Sequence, residues 1–186
     1  MNNERFLLNN KPGVLNAWIQ AVMDSYPRDD TGFLKNQTDP FANPVGHMLR
    51  EGLSGLVDSL AYDDYLHKAA PFIKELMHVR AVQDFSASQA VGFIFSLKKI
   101  LKNYFKIKPR NTDSAAFLFW ADARIDALAL AAFDAYASCR EKIHEIRVNE
   151  VRNLSYKTLQ RANLVPSTED ISQEASHKDT AHQGPK

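Results

Sequence analysis

Between Pro109 and Pro166 the chain carries neither a glycine nor a proline, and this feature limits the fold more than any other. Without a breaker, the stretch from Asp113 to about Arg161 reads as one helix, ~70 Å long at 1.5 Å per residue. A chain of 186 residues needs no such length to cover its own core. Part of the helix is therefore expected to leave the domain and either meet a partner or pass on a signal. On a helical wheel Leu118, Ile125, Ala129, Ala132, Tyr136, Ile143 and Leu154 form a stripe, flanked by Ala121, Leu128, Cys139 and Ile146. The stripe is dense up to Ile146. Beyond it Arg147, Glu150, Lys157 and Arg161 enter stripe positions, so a core-facing half is expected to give way to a charge-laced, projecting half.

Upstream, the punctuation of the sequence predicts shorter helices. Pro12 suits a first helical turn, with Leu15, Trp18, Ile19 and Val22 at helical spacing until Tyr26-Pro27. Residues 28–40 have loop chemistry, with Phe33 and Leu34 as an apolar anchor. Asn43 can cap a second helix whose first residue is Pro44 and whose stripe is Val45, Leu49, Leu53, Leu56 and Leu60. Gly52 and Gly55 fall near that stripe and predict close helix approach, while His47 falls on the polar side. Tyr62 to Ala70 reads as a short helical piece, with Pro71 opening the next helix and placing Phe72, Ile73, Leu76, Val79 and Arg80 on one side. Ser86 and Gln89 form a capping box for a helix that turns Val91, Ile94, Phe95, Leu97, Leu101, Tyr104 and Phe105 inward. Its lysines, Lys98, Lys99 and Lys102, read as a solvated outer face, and residues 106–111 as the last linker before a cap at Thr112 or Asp113.

With 45% hydrophobic and 24% charged residues, the chain can bury one sizeable core, and no shift in composition marks a second domain. The expected organisation is an N-terminal extension over 1–11, a helical domain over 12–162 and a disordered tail over 163–186. A formal charge of +1 provides no electrostatic footprint for nucleic acid. No apolar run approaches the length of a membrane span and no signal-peptide core follows Met1, so a cytoplasmic protein without membrane insertion is expected. Cys139 is the one cysteine, which excludes an internal disulfide and a cysteine-based metal cluster.

An enzyme would need a constellation of chemical groups. The sequence has no glycine-rich phosphate loop, no paired-histidine zinc motif and no serine elbow, so neither catalysis nor a cofactor is expected. Asp122 and Asp126 share a helix face, but without a Glu-x-x-His companion they read as an ion-paired surface rather than a metal site. A haem ligand must face an apolar pocket; His47 and His78 lie on polar sides, His144 lies in the charged part of the long helix, and His67 cannot be placed. Cys139 is either a small interface residue or, beside Arg140, a redox-sensing thiol. The line of Ile143, Ile146, Arg147, Glu150 and Leu154 can pair as a short coiled coil or dock on a partner. A ligand pocket, if present, is expected among Trp18, Phe93, Phe95, Phe117 and Trp120.

Three stretches resemble one family: Asp39-Pro-Phe-Ala-Asn-Pro-Val-Gly-His47, the run from Arg80 through Phe85-Ser-Ala-Ser-Gln89 to Lys98, and Asp126 to Glu150 with Ala132-Phe-Asp-Ala-Tyr136 and Cys139-Arg-Glu-Lys142. The chain resembles the N-terminal domain of RsbRD-type RsbT co-antagonist proteins, a helical sensory domain of bacterial regulators. The resemblance implies a non-enzymatic signal-input or interaction domain. Its relatives typically continue from the last helix into a STAS domain or a histidine kinase; here only a short tail follows Arg161, so a stand-alone domain acting through a separate protein partner or as a homodimer is expected. The expected fold is all-α: a bundle of five or six helices, globin-like as one variant, with a long projecting C-terminal helix. The alternative function is a small-ligand or haem-like cofactor sensor.

Overall fold

The computed structural model describes residues 3–26, 41–107, 113–162 and 164, which form five helices and no strand. We number them α1 (Asn3–Met23), α2 (Pro44–Ser59), α3 (Tyr65–Val82), α4 (Ala87–Ile107) and α5 (Asp113–Arg161). The expected all-α bundle with its long last helix is present, and α5 is 49 residues long. The chain divides into two units, Met1–Arg140 and Glu141–Lys186. The breaker Pro27, the loop with Phe33 and Leu34, the last linker with Thr112, and the tail after Leu164 lie outside the described residues.

The first helix begins at Asn3 rather than at Pro12, so residues 3–11 are helix and Pro12 is interior. An interior proline removes one backbone bond and costs roughly 3 kcal/mol. Tertiary contacts oppose that cost. Leu7 is 2% exposed, the Phe6 ring meets the edge of Phe117 with centroids 5.0 Å apart, and Lys11 pairs with Asp58 of α2 at 2.7 Å. Further along, Trp18 and Val22 are buried as expected, while Val14 takes the core position assigned to Leu15.

The start of α2 follows its sequence closely. Asn43 Oδ1 accepts from the Gly46 N–H at 2.8 Å, Pro44 opens the helix, and Leu49, Leu53, Leu56 and Leu60 are buried. The two glycines face α3. A Cβ on Gly52 would lie 3.0 Å from Leu76, and one on Gly55 would run into the Phe72 ring. Only the absence of side chains there lets the two helices approach so closely.

Pro71 does not open a helix; α3 runs through it from Tyr65. Ala69, Ile73, Leu76 and Met77, on both sides of Pro71, are all buried. Pro71 and His67 are both exposed, so the carbonyl left without an N–H partner can be hydrated. The capping box at α4 is reciprocal: Gln89 Oε1 accepts from the Ser86 N–H at 3.0 Å and Ser86 Oγ from the Gln89 N–H at 3.4 Å. In α4 the core stripe is Ala90, Phe93, Ile94, Leu97 and Leu101. Phe95, expected inside, lies ~140° from the centre of that stripe and is exposed.

Along α5, Phe117, Ala121, Ile125, Leu128, Ala129, Ala132 and Tyr136 are buried, with Leu118 only half-buried. The buried stripe ends sooner than the wheel implied: Ile143 is half-buried and Ile146 exposed. The reason is spatial. Tyr136 and Arg140 are bonded to the turn at the end of α3, and a wheel cannot tell where such a neighbouring helix stops.

Candidate functional site

Arg80 is the one fully buried charged side chain among the described residues, at 0% exposure. It lies on the core side of α3, one turn from Leu76 and Met77. Three aromatic rings enclose its guanidinium: Phe93 at 4.4 Å, Phe85 at 5.0 Å and Tyr26 at 5.4 Å to the centroids. Nη1 donates to the Gln89 carbonyl at 3.0 Å. Nε and Nη2 are buried and make no hydrogen bond, and the same is true of the Tyr26 hydroxyl. No ion pair to Arg80 occurs among the described residues. Burial lowers the Arg80 pKa from its ordinary value, with Tyr26 opposing that shift, and burial raises the pKa of the Tyr26 phenol, with Arg80 opposing it. Ring faces are attractive to a cation, each worth on the order of 1 kcal/mol, but they offer no acceptor for an N–H.

Next to this group lies a cleft of about 280 Å³ lined by Ser25, Phe85, Ser88, Gln89, Gly92 and Phe93 among others. Three of these residues also touch the Arg80 guanidinium, so the arginine stands behind the cleft wall. Gly92 differs from Gly46, Gly52 and Gly55, because a Cβ on it would meet nothing within 4 Å. A glycine inside a helix costs about 1 kcal/mol relative to alanine. No close helix packing explains it here; what its bare backbone borders is the cleft.

Two arginines of α5 hold the turns at either end of α3. Arg124 Nη1 donates to the carbonyls of Leu60 (3.0 Å) and Tyr62, and its guanidinium lies 4.6 Å from the ring centroids of both Tyr65 and Trp120. Arg140 Nη1 donates to the Ala81 carbonyl at 3.1 Å and to Asp84 at 2.6 Å. That hydrogen bond to Asp84 raises the Arg140 pKa. Beside it the Tyr136 hydroxyl donates to the Phe85 carbonyl. Asp84 has φ of 57°, the left-handed region that lets α3 end and the chain turn back. The turn that carries Phe85, a wall of the cleft, is thus latched to α5 at Tyr136 and Arg140. Nothing in the periodicity of α5 marked Arg124 and Arg140 as latches; only the turns they reach reveal the role.

The residues expected to form a pocket separate into groups. Trp18 and Phe93 stack at 5.9 Å, and the Trp18 indole donates to the Phe93 carbonyl at 2.9 Å. Phe117 and Trp120 pack together at 5.5 Å, Phe117 also against Phe6. Phe95 is exposed. Of the five, only Phe93 lines the cleft. Asp122 and Asp126 pair with Lys98, at 3.8 and 2.8 Å, and Lys102 lies 3.9 Å from Asp122. The lysine face of α4 is therefore partly engaged with α5. His47 is paired with Glu51 at 3.3 Å, while His67, His78 and His144 are exposed. Cys139 is half-buried, and the neighbouring Arg140 is engaged with Ala81 and Asp84. In the second unit no described residue is buried; Ile146, Val151 and Leu154 are exposed apolar residues, with Arg147 and Glu150 between them. A different exposed apolar face of α5 carries Phe119, Leu130 and Phe133. Among the described residues no helix is long and apolar enough to cross a membrane.

No curated protein and no solved structure matches the chain. A family model does: that of the RsbT co-antagonist protein rsbRD N-terminal domain, over residues 12–151. The matched span takes in Arg80, the cleft, both α5 latches and the whole buried stripe of α5. With most of its 186 residues inside that match, the chain belongs to the rsbRD N-terminal domain family of RsbT co-antagonist proteins, a family of signalling sensor domains.

Proposed function

We propose that this protein is a non-enzymatic sensory or adaptor domain of a cytoplasmic stress or metabolic signalling system, working by protein–protein contact through the C-terminal part of α5. The sensory domain proper takes in residues 12–162 together with residues 3–11 of α1, whose Leu7 lies in the core. The observation that carries this reading is a single helix with two characters: one face buried from Phe117 to Tyr136, and no buried residue among those described from Glu141 onward. A helix that belongs both to a core and to an exposed surface can bias two arrangements of that core. The latch of Tyr136 and Arg140 on the α3–α4 turn lies at the last residues before the exposed part. A packing change around Phe85 and Asp84 would therefore be felt first where the output surface begins. That surface is the face of Ile143, Ile146, Arg147, Glu150 and Leu154, meeting a separate regulatory protein or a second copy of the chain. Cys139, beside the latch, is the thiol through which an oxidant would act on it.

The test is the double substitution Ile146→Glu/Leu154→Glu in the full chain, compared with Phe119→Asp/Leu130→Asp. Partner capture from the native cell, or self-association by light scattering, should fall at least tenfold in the first variant and stay near wild type in the second, with helicity by circular dichroism unchanged in both. Capture that survives the first and is lost in the second would move the docking surface to the core half of α5 and overturn the assignment.

A further inference from the structure

The two unpartnered nitrogens of Arg80 are not an arbitrary pair. Nε and Nη2 form the side-on edge of the guanidinium, whose parallel N–H bonds match the two oxygens of a carboxylate or phosphate. Nη1, outside that edge, is already committed to the Gln89 carbonyl. The guanidinium is therefore oriented, with its bidentate edge buried and unused. The Tyr26 hydroxyl, likewise unpartnered, offers a further donor in the same box. A buried cation with unmet donors is costly to keep, whereas an oxyanion would satisfy both the charge and the N–H groups.

We propose that Arg80 is the recognition residue of a small-oxyanion site, entered through the cleft beside Gly92. The ligand would carry a carboxylate or phosphate onto Nε and Nη2 and leave a small polar body in the cleft, among the hydroxyls of Ser25, Ser88 and Ser96. The cleft volume of about 280 Å³ suits a metabolite-sized molecule, not a peptide or a lipid chain. Gly92 keeps the entrance free of a side chain. Phe85 is the part of the wall that would have to yield to a ligand: its ring is half-buried, it meets Tyr26 edge-on at 5.2 Å, and it lies against the guanidinium. Its carbonyl is bonded to Tyr136, so displacement of the ring acts on the α5 latch. The site thereby names the class of signal for the sensory reading on which its regulatory consequence rests.

The test is a titration of the full chain with acetate, succinate, inorganic phosphate and sulfate, each at constant ionic strength against chloride. Thermal stability and Trp fluorescence are the readouts, Trp18 being stacked on Phe93. At least one anion should raise the melting temperature saturably, and which of them does so separates a carboxylate from a phosphate ligand. Arg80→Lys keeps the charge but loses the fork, and should weaken the apparent Kd at least tenfold. Gly92→Leu fills the cleft from a position where a Cβ meets nothing within 4 Å and should weaken it comparably, which keeps the test decisive if Arg80→Lys fails to fold. Absence of a saturable response to every anion, or an unchanged response in Gly92→Leu, would overturn the proposal. Neither result bears on capture through Ile146 and Leu154, so failure of the ligand site and failure of the output surface are read separately.

Discussion

Asn43, Gly55 and Arg80 differ in how plainly the sequence announces their work. Asn43 before Pro44 is a local signal, because capping depends on atoms within one turn. Gly55 signals that a neighbour comes close but not which one; that the neighbour is the Phe72 ring depends on the α2–α3 packing. Arg80 falls on the apolar side of its helix in the pattern, yet its aromatic box draws on residues from the turn after α1, the α3–α4 turn and α4, which no spacing rule links. Tyr26 in that box makes the arrangement testable by pH. Its folded pKa is raised by burial above the ordinary value of about 10. The unfolded chain therefore ionises first, and the contribution of this group is full below roughly pH 10 and lost as pH rises through the higher folded value. Thermal unfolding between roughly pH 9 and 11 should show a falling melting temperature, and Tyr26→Phe should flatten that fall.

At the scale of elements, Pro12 and Pro71 expose the limit of local rules. Both were natural places to begin a helix, and both lie inside one. Propensity is a local preference worth a few kcal/mol at most, and burial of Leu7 on one helix and of Ala69 and Ile73 on the other rewards continuing through it. The latch on the α3–α4 turn belongs to this scale too. Asp84→Asn keeps a residue that tolerates the left-handed conformation but removes the charge that Arg140 holds. Amide hydrogen exchange should then quicken at residues 81–86 and around Tyr136 to Arg140, while the first turns of α2, capped by Asn43, keep wild-type protection. Unchanged exchange at the latch would mean that the Arg140–Asp84 pair does not tie α5 to the turn.

For the whole molecule, the one cysteine confines thiol chemistry in these 186 residues to Cys139, whose disulfide partner could only be another chain or a small thiol. If Cys139 reports redox state, mild oxidant should change assembly or partner capture in the wild type and leave Cys139→Ser unaffected; equal responses in the two would remove the thiol from the mechanism. Helix content, the N-cap of α2, the capping box of α4, the side-chain-free face of α2 at Gly52 and Gly55 and the length of α5 were all determined by the sequence itself. Each depends on groups a few residues apart or on the absence of a breaker, and such interactions act before distant parts of the chain meet. Where the buried stripe of α5 ends, which aromatic residues share a pocket, and that Arg80 lies buried with its side-on edge unpaired were decided only by the tertiary structure. These depend on where other helices stop and on which rings close around a charge, distances between residues far apart in the chain that no periodicity encodes.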